Sequence, residues 1–345
     1  MSITPIAPIG LTAAALRVQV VAGVETELMA EVDALLGQQA AHADAPSPTP
    51  PQRPNPIRQA VDAARADAAG RQAGSAPLFA DLAEALRAPD LPAPIKAAIG
   101  QLLALRTPLT GPITAETVRQ ALAQSGLFLE AHLLQAPPGE PPPQDLKAAL
   151  LTLQRALAPT PAAATALVAH APTQPPPIRE AALAAQPAAP ATLSAADGFP
   201  AIAQHLAREA DQAMARQVLH QLASLPDGAA PAWMFELPLA TPQGTALAQF
   251  EIDRDGAQPG SGHPEEAWRM RFSIDIEPLG PVHVHLRLEG ERAQVTVWAE
   301  REDGLERLRS QGAELATALP ADVVFHPGAP GRPLPGNGQF VDQSL

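Results

Sequence analysis

The sequence predicts an α+β protein: a C-terminal antiparallel sheet packed by one helix, preceded by helical segments and Pro/Ala-rich disordered linkers. Three observations predict it. Apolar residues alternate with polar ones from Trp233 onward, the period of half-buried strands. Apolar residues recur at helical spacing in several stretches between 76 and 225. Between these stretches proline and alanine dominate: 41 prolines and 23 glycines make up about a fifth of the 345 residues. Aromatic residues are only 3 % and tyrosine is absent, so large side chains for one continuous core are scarce.

The first 75 residues read as an N-terminal segment, mostly disordered with one helix. Val24, Leu28, Val32 and Leu35 share helical spacing, and Gly37 is a stop. "AHADAPSPTPPQRPNP" (41–56) is a polyproline-like linker. Residues 76–158 form a small helical region. "APLFADLAEALRA" and "PAPIKAAIGQLLALR" are amphipathic helices parted by Pro92 and Pro94. "TAETVRQALAQSGLFLEAHLL" follows, with Thr114 as N-cap and Gly126 as a break, and then "DLKAALLTLQRALA". No polar groups converge there, so the region reads as structural.

Residues 159–200 are a spacer by composition. Residues 201–327 are a C-terminal domain with a lead-in helix. In that helix Ile202, Leu206, Ala210, Met214, Val218 and Leu222 follow at i+4 spacing, and Pro226 and Gly228 end it. The strands come next. Trp233, Phe235 and Leu237 share one side, as do Ala248, Phe250 and Ile252. In "WRMRFSIDI", Trp268, Met270, Phe272, Ile274 and Ile276 face one way, and Arg269, Arg271, Ser273 and Asp275 the other. Val282, Val284, Leu286 and Leu288 line the next strand, and a tight Gly290 turn leads to Ala293, Val295 and Val297. A helix carries Leu305, Leu308, Leu315 and Leu319, and "DVVFH" is a short last strand. Residues 328–345 are a disordered tail.

Composition excludes several function classes. The net charge of −13, with Lys96 and Lys147 as the only lysines, argues against a nucleic-acid partner. No cysteine is present, so thiol catalysis, disulfides and thiolate-bound zinc are out. No run of about 20 apolar residues is long enough to span a membrane, and the N-terminus lacks the basic leader of a secretory signal.

Candidate chemistry is sparse. His283 and His285 alternate on one strand, so both imidazoles can face one metal, with His326 or Glu251 as a third ligand. The plainer reading is two polar residues on a wet strand face, and no metal is expected. Ser273 or Ser310 beside a histidine lacks a nucleophile elbow. The glycines of "PGSGHPEE" lack the Lys-Ser/Thr of a phosphate loop. No cofactor or small-molecule substrate is implied. Trp233 and Trp268 read as core, and Trp298 as exposed or capping a sheet edge.

"IEPLGPVHVHLRLEGERAQVTVWAERED…LERLRSQGAELATAL" resembles the C-terminal domain of the flagellar hook-length control family, the FliK family. The shared elements are Leu279-Gly280-Pro281-Val282, the strand to Leu288, Gly290, Val295 to Trp298, and the leucine-spaced helix. Pro320-Ala321 stands where family members often carry glycine, and Gly312 interrupts the helix. "ARQVLHQLASLP", "WMFELPL", "SGLFLEAHLL" and "DLKAALLTL" resemble upstream parts of one branch. The resemblance implies a non-enzymatic protein, made in the cytoplasm and secreted through the flagellar type III channel. It implies a measuring N-terminal part and a C-terminal domain that switches export from hook to filament subunits. The implied partners are the cytoplasmic domain of the export gate's autocleaving membrane protein and the hook and hook-cap proteins, with Leu279, Gly280, Pro281 and Val282 as the partner-binding turn. Residues 1–232 would span about 800 Å extended or about 350 Å helical. The other readings are a non-exported scaffold with one interaction domain and a metal-dependent enzyme centred on His283 and His285.

Overall fold

The computed structural model describes residues 55–109, 115–137, 143–158, 174–225, 231–255, 267–290, 292–312 and 321–331. The expected helix at 24–37, the linker at 41–54, Thr114, Pro226 and Gly228, the loop at 256–266, Leu315 and Leu319, and the end of the tail lie outside them. From Asn55 onward the chain is one compact unit.

Its helices are α1 (Pro56–Arg71), α2 (Ser75–Ala85), α3 (Ala93–Ala104), α4 (Ala115–Ala123), α5 (Leu129–Gln135), α6 (Leu146–Leu157), α7 (Phe199–Ala223) and α8 (Glu302–Ser310). Its strands are β1 (Thr107–Pro108), β2 (Ala232–Thr241), β3 (Gly244–Asp255), β4 (Ala267–Ile276), β5 (Gly280–Glu289), β6 (Arg292–Ala299) and β7 (Ala321–Pro327), which form one sheet in chain order. The α+β class holds, and β2 to β6 pair antiparallel as their alternation predicts. The edges differ: β1·β2 and β6·β7 are parallel. For the last pair the reason is the intervening α8, because a crossover returns the chain to the starting end of the sheet where a hairpin would reverse it.

The register places Trp233, Phe235, Phe250, Trp268, Phe272, Val284, Val297 and Phe325 on one face. Rings stack along it: Trp233 on Trp268 at 5.9 Å, and Phe235, Phe250 and Phe272 in a row. The other face carries Met234, Glu236, Leu247, Glu251, Arg271, His285 and Trp298.

More than one helix packs the sheet. On the apolar face, α8 covers β5 to β7 through Leu305, which meets Val282, Val295, Val297 and Ala299. On the opposite face, α2, α3, α6 and α7 share a core with Leu247 of β3. The expected boundary between 76–158 and 201–327 therefore falls inside one core. Leu82, Ile99, Leu102, Leu153 and Leu206 are fully enclosed there. On α7 the buried stripe is Ile202, Leu206, Ala210 and Ala213, then Arg216 and His220, with Met214 and Val218 only half-buried. A strict i+4 row drifts around a helix of 3.6 residues per turn, so the true seam mixes i+3 and i+4 steps.

Two stretches expected to lack structure are built in. Helix α1 starts where Asn55 accepts from the Ile57 N–H at 2.9 Å and Pro56 takes the first turn. Arg71 then binds Asp211 of α7 at 2.8 Å. Its apolar signal was weak because its buried contact is mostly alanine: Ala68 against Ala215 and Leu219. Residues 174–198, within the expected spacer, lie against the sheet. Gln186 exchanges both backbone bonds with Leu247, at 3.0 and 2.8 Å. Glu251 and Gln249 accept the N–H groups of Glu180 and Ala184. A Pro-rich chain cannot satisfy its own backbone, and here side chains of β3 do so.

The segments meet at one ion pair. Arg216 is 1 % exposed and donates to Glu236 at 2.7 Å, to the Gln72 side chain at 2.8 Å and to the Pro175 carbonyl at 3.1 Å. Gln186 donates to the same Glu236 oxygen at 2.8 Å. Burial alone would raise the Glu236 carboxyl, but Arg216 and the nearby His220 outweigh it and hold the carboxyl at about 2. Burial pushes the His220 imidazole down from 6.5.

Arg216→Met should destabilise the unit by about 3–5 kcal/mol in denaturant titration, because Glu236 is left charged and unpaired in the core; Arg216→Met/Glu236→Leu should recover most of that loss. Acid should act on the same site. The stability from Glu236 is complete above its ordinary value of 4.5 and is lost as pH falls from there toward 2. His220 adds to this, since the unfolded imidazole gains a proton below 6.5 that the folded one resists. Melting temperature followed against pH should fall across that range, and more shallowly in the double variant.

Candidate functional site

The turn between β4 and β5 is held against the start of α8. Leu279 N–H donates to the Ile276 carbonyl at 2.9 Å, and Gly280 takes φ +71°. A Cβ on Gly280 would lie 2.3 Å from Arg301 Cδ. Gly304, in the first turn of α8, touches the Leu279 carbonyl so closely that a Cβ there would sit 2.3 Å from the oxygen. Arg301 bonds Glu277 through two contacts of 3.0 Å and reaches Asp303 at 3.0 and 3.2 Å. Glu302 and Asp303 open the helix, where carboxylates suit the dipole.

The four expected partner-binding residues therefore sit together but differ in access. Val282 is 4 % exposed and inside the core under α8, and Gly280 is buried. Leu279 is half-buried and packs against that core. Pro281 is half-buried, and its carbonyl accepts from the Glu300 N–H at 3.1 Å. The groups most open to a partner are Glu277, Pro278, Glu302 and Asp303, with Arg301 between them. Sequence reading missed Arg301 and Gly304. Their signal was faint, because the contact joins residues about 24 apart in the chain.

A second feature lies on the polar face of β3 to β5. A groove of about 400 Å³ is lined by Glu180, Glu251, Arg269, Arg271, His283, His285, Pro330 and Gly331, among others. Its arginines are paired. Arg271 binds Glu251, and Arg269 binds Asp253 at 2.7 Å. His283 and His285 share this face, but the expected third ligands are engaged elsewhere. His283 meets Glu300 at 2.9 Å, His285 packs on Trp298, and Trp298 stacks on His326 at 5.7 Å. Burial, with Arg271 and His283, pushes the His285 imidazole down to about 4. Trp298 is thus neither free nor an edge cap but half-buried between two imidazoles.

Ser273 stands opposite His283 in register, yet its buried hydroxyl bonds no described group. Ser310 donates to the Arg307 carbonyl at 2.7 Å, as a helix serine does. Neither makes a nucleophile–base contact. Among the described residues no helix is long and apolar enough to cross a membrane.

Residues 257–323 match the family model of the flagellar hook-length control protein FliK. This C-terminal segment belongs to that family. The matched hook-length control segment holds β4, β5, β6 and α8 and the start of β7, and so nearly the whole of the core under α8. No curated protein and no solved structure matches the chain.

Gly304→Ala should cost about 1–3 kcal/mol, since the Leu279 carbonyl can yield only by moving the turn. Gly280→Ala should cost about 1–2 kcal/mol from its positive φ alone, besides displacing Arg301. Arg301→Ala removes only exposed charge and should leave the melting temperature nearly unchanged. Thermal denaturation of the three variants checks the ranking.

Proposed function

We propose that the chain is a flagellar hook-length control protein, exported as a ruler, whose C-terminal domain switches type III export from hook to filament subunits. The observation that carries this reading is the family match over a segment with its own helix, strands and core. The proposed contact with the cytoplasmic domain of the export gate's autocleaving membrane protein lies at Leu279–Val282 and the adjoining end of α8. Leu279 and Val282 shape the turn from within, while Glu277, Arg301 and Asp303 supply exposed groups of both signs. Hook and hook-cap proteins are the proposed partners of the N-terminal part during passage from the cytoplasm through the channel.

One observation favours a second reading, a folded adaptor that is not exported. Residues from Asn55 onward are one compact unit, so a narrow channel would require α1 to α7 to come apart. Under the ruler reading that opening occurs at the export gate.

A deletion strain viewed by electron microscopy should show overlong hooks without filaments, and the full chain should reach the culture medium only when the export apparatus is intact. Normal filaments would remove the switch, and retention in the cell with overlong hooks would favour the adaptor. In the complemented strain, Arg301→Ala should leave the protein stable and impair the switch.

A further inference from the structure

We propose that Asp81, His205 and Glu209, in the helical layer, bind one first-row divalent transition-metal ion. Asp81 projects from α2. His205 and Glu209 project from α7 at i,i+4 spacing, which puts both on one helix face. One ligand atom from each lies within 4.8 Å of the others. His205 Nε2 is 2.7 Å from Asp81 Oδ2 and 3.4 Å from Glu209 Oε1. Metal bonds of about 2.0–2.2 Å would set such atoms about 2.9–3.5 Å apart, so small adjustments close the shell.

The second observation is Glu209 itself. It is 8 % exposed, and its Oε2 is buried with no hydrogen-bond partner. Such a carboxylate is costly unless a cation or proton meets it. His205 Nε2 reaches only Oε1 of Glu209, at 3.4 Å, and leaves Oε2 unanswered. Arg208 Nη2 lies 2.7 Å from His205 Nδ1 on the other side of the ring.

Asp81 is already aimed. Its Oδ1 accepts from the Thr192 and Leu193 N–H groups at 2.6 and 3.1 Å, and Thr192 Oγ1 donates to Oδ2 at 2.7 Å. These bonds act as the outer contacts that orient a metal ligand. Binding requires Nε2 to be free of its proton, so that its lone pair meets the ion. His205 is 22 % exposed and provides the way in. One imidazole with two carboxylates suits zinc, iron or manganese, without the thiolates this chain lacks. The ion would tie α2, the Thr192 segment and α7 together.

Zinc chloride is the probe, titrated calorimetrically into full-length chain stripped with EDTA. One zinc per chain is expected, with a rise in melting temperature that EDTA reverses. Glu209→Gln and His205→Gln, shown folded by circular dichroism, should each weaken binding about 10-fold or more. His283→Gln/His285→Gln should bind like the wild type. Absence of stoichiometric binding overturns the proposal, as does equal binding by the Glu209→Gln and His205→Gln variants. It is also overturned if Glu209→Gln melts as high as wild type with no response to zinc, since Glu209 then simply carries a proton.

Discussion

The contact between Arg216 and Glu236 constrains the rest of the unit. A guanidinium buried to 1 % exposure needs partners for its donors, and those of Nε and Nη1 come from different parts of the chain. Glu236 comes from β2, Gln72 from the end of α1, and the Pro175 carbonyl from the segment before α7. Gln186 closes the ring by bonding Glu236 and the Ala76 N–H. A hydrophobic contact tolerates sliding, whereas this arrangement accepts one register of α7 on the sheet. The directional bonds of the ion pair add specificity to the surrounding apolar packing.

The two helical layers are offset. The large helical layer covers one face over β2 and β3, and α8 covers the opposite face over β5 to β7. Each end of the sheet thus has its own core. This explains how a family segment of modest length can sit within a larger unit. Its core needs α8 and β4 to β7, and it shares β4 with the rest through backbone ladder bonds and the stacked Phe250 and Phe272. The turn at Gly280 joins β4 to β5 within that smaller core. Its glycines serve close approach: one makes room for Arg301, the other for the Leu279 carbonyl.

Export, on the proposed reading, sets opposing demands. A passenger must unfold readily, and a switch must present a fixed surface. The helical layer encloses leucine, isoleucine and alanine around a charged pair, and the segment under α8 relies on continuous strand pairing and branched aliphatic side chains. Strands give the turn a rigid base, so exposed groups such as Glu277 and Asp303 are displayed in fixed positions.

The sequence alone determined the α+β class and the faces of β2 to β6, because alternation in a strand is local: Trp268, Met270 and Phe272 fall on one side whatever they pack against. It also pointed to the family of the C-terminal segment, since Leu279-Gly280, Gly290 and the leucines of α8 carry their spacing in the chain. It did not reveal α1, whose contact is Ala68 on Ala215, nor the docking of 174–198, whose backbone is answered by Glu251 and Gln249 from far along the chain. Only the tertiary structure decided that Leu279 and Val282 pack inward, that His283 and His285 face Glu300 and Trp298, and that Asp81 joins His205 and Glu209. Each of these depends on which elements come together in space, and that is set by long-range pairing, which local periodicity does not encode.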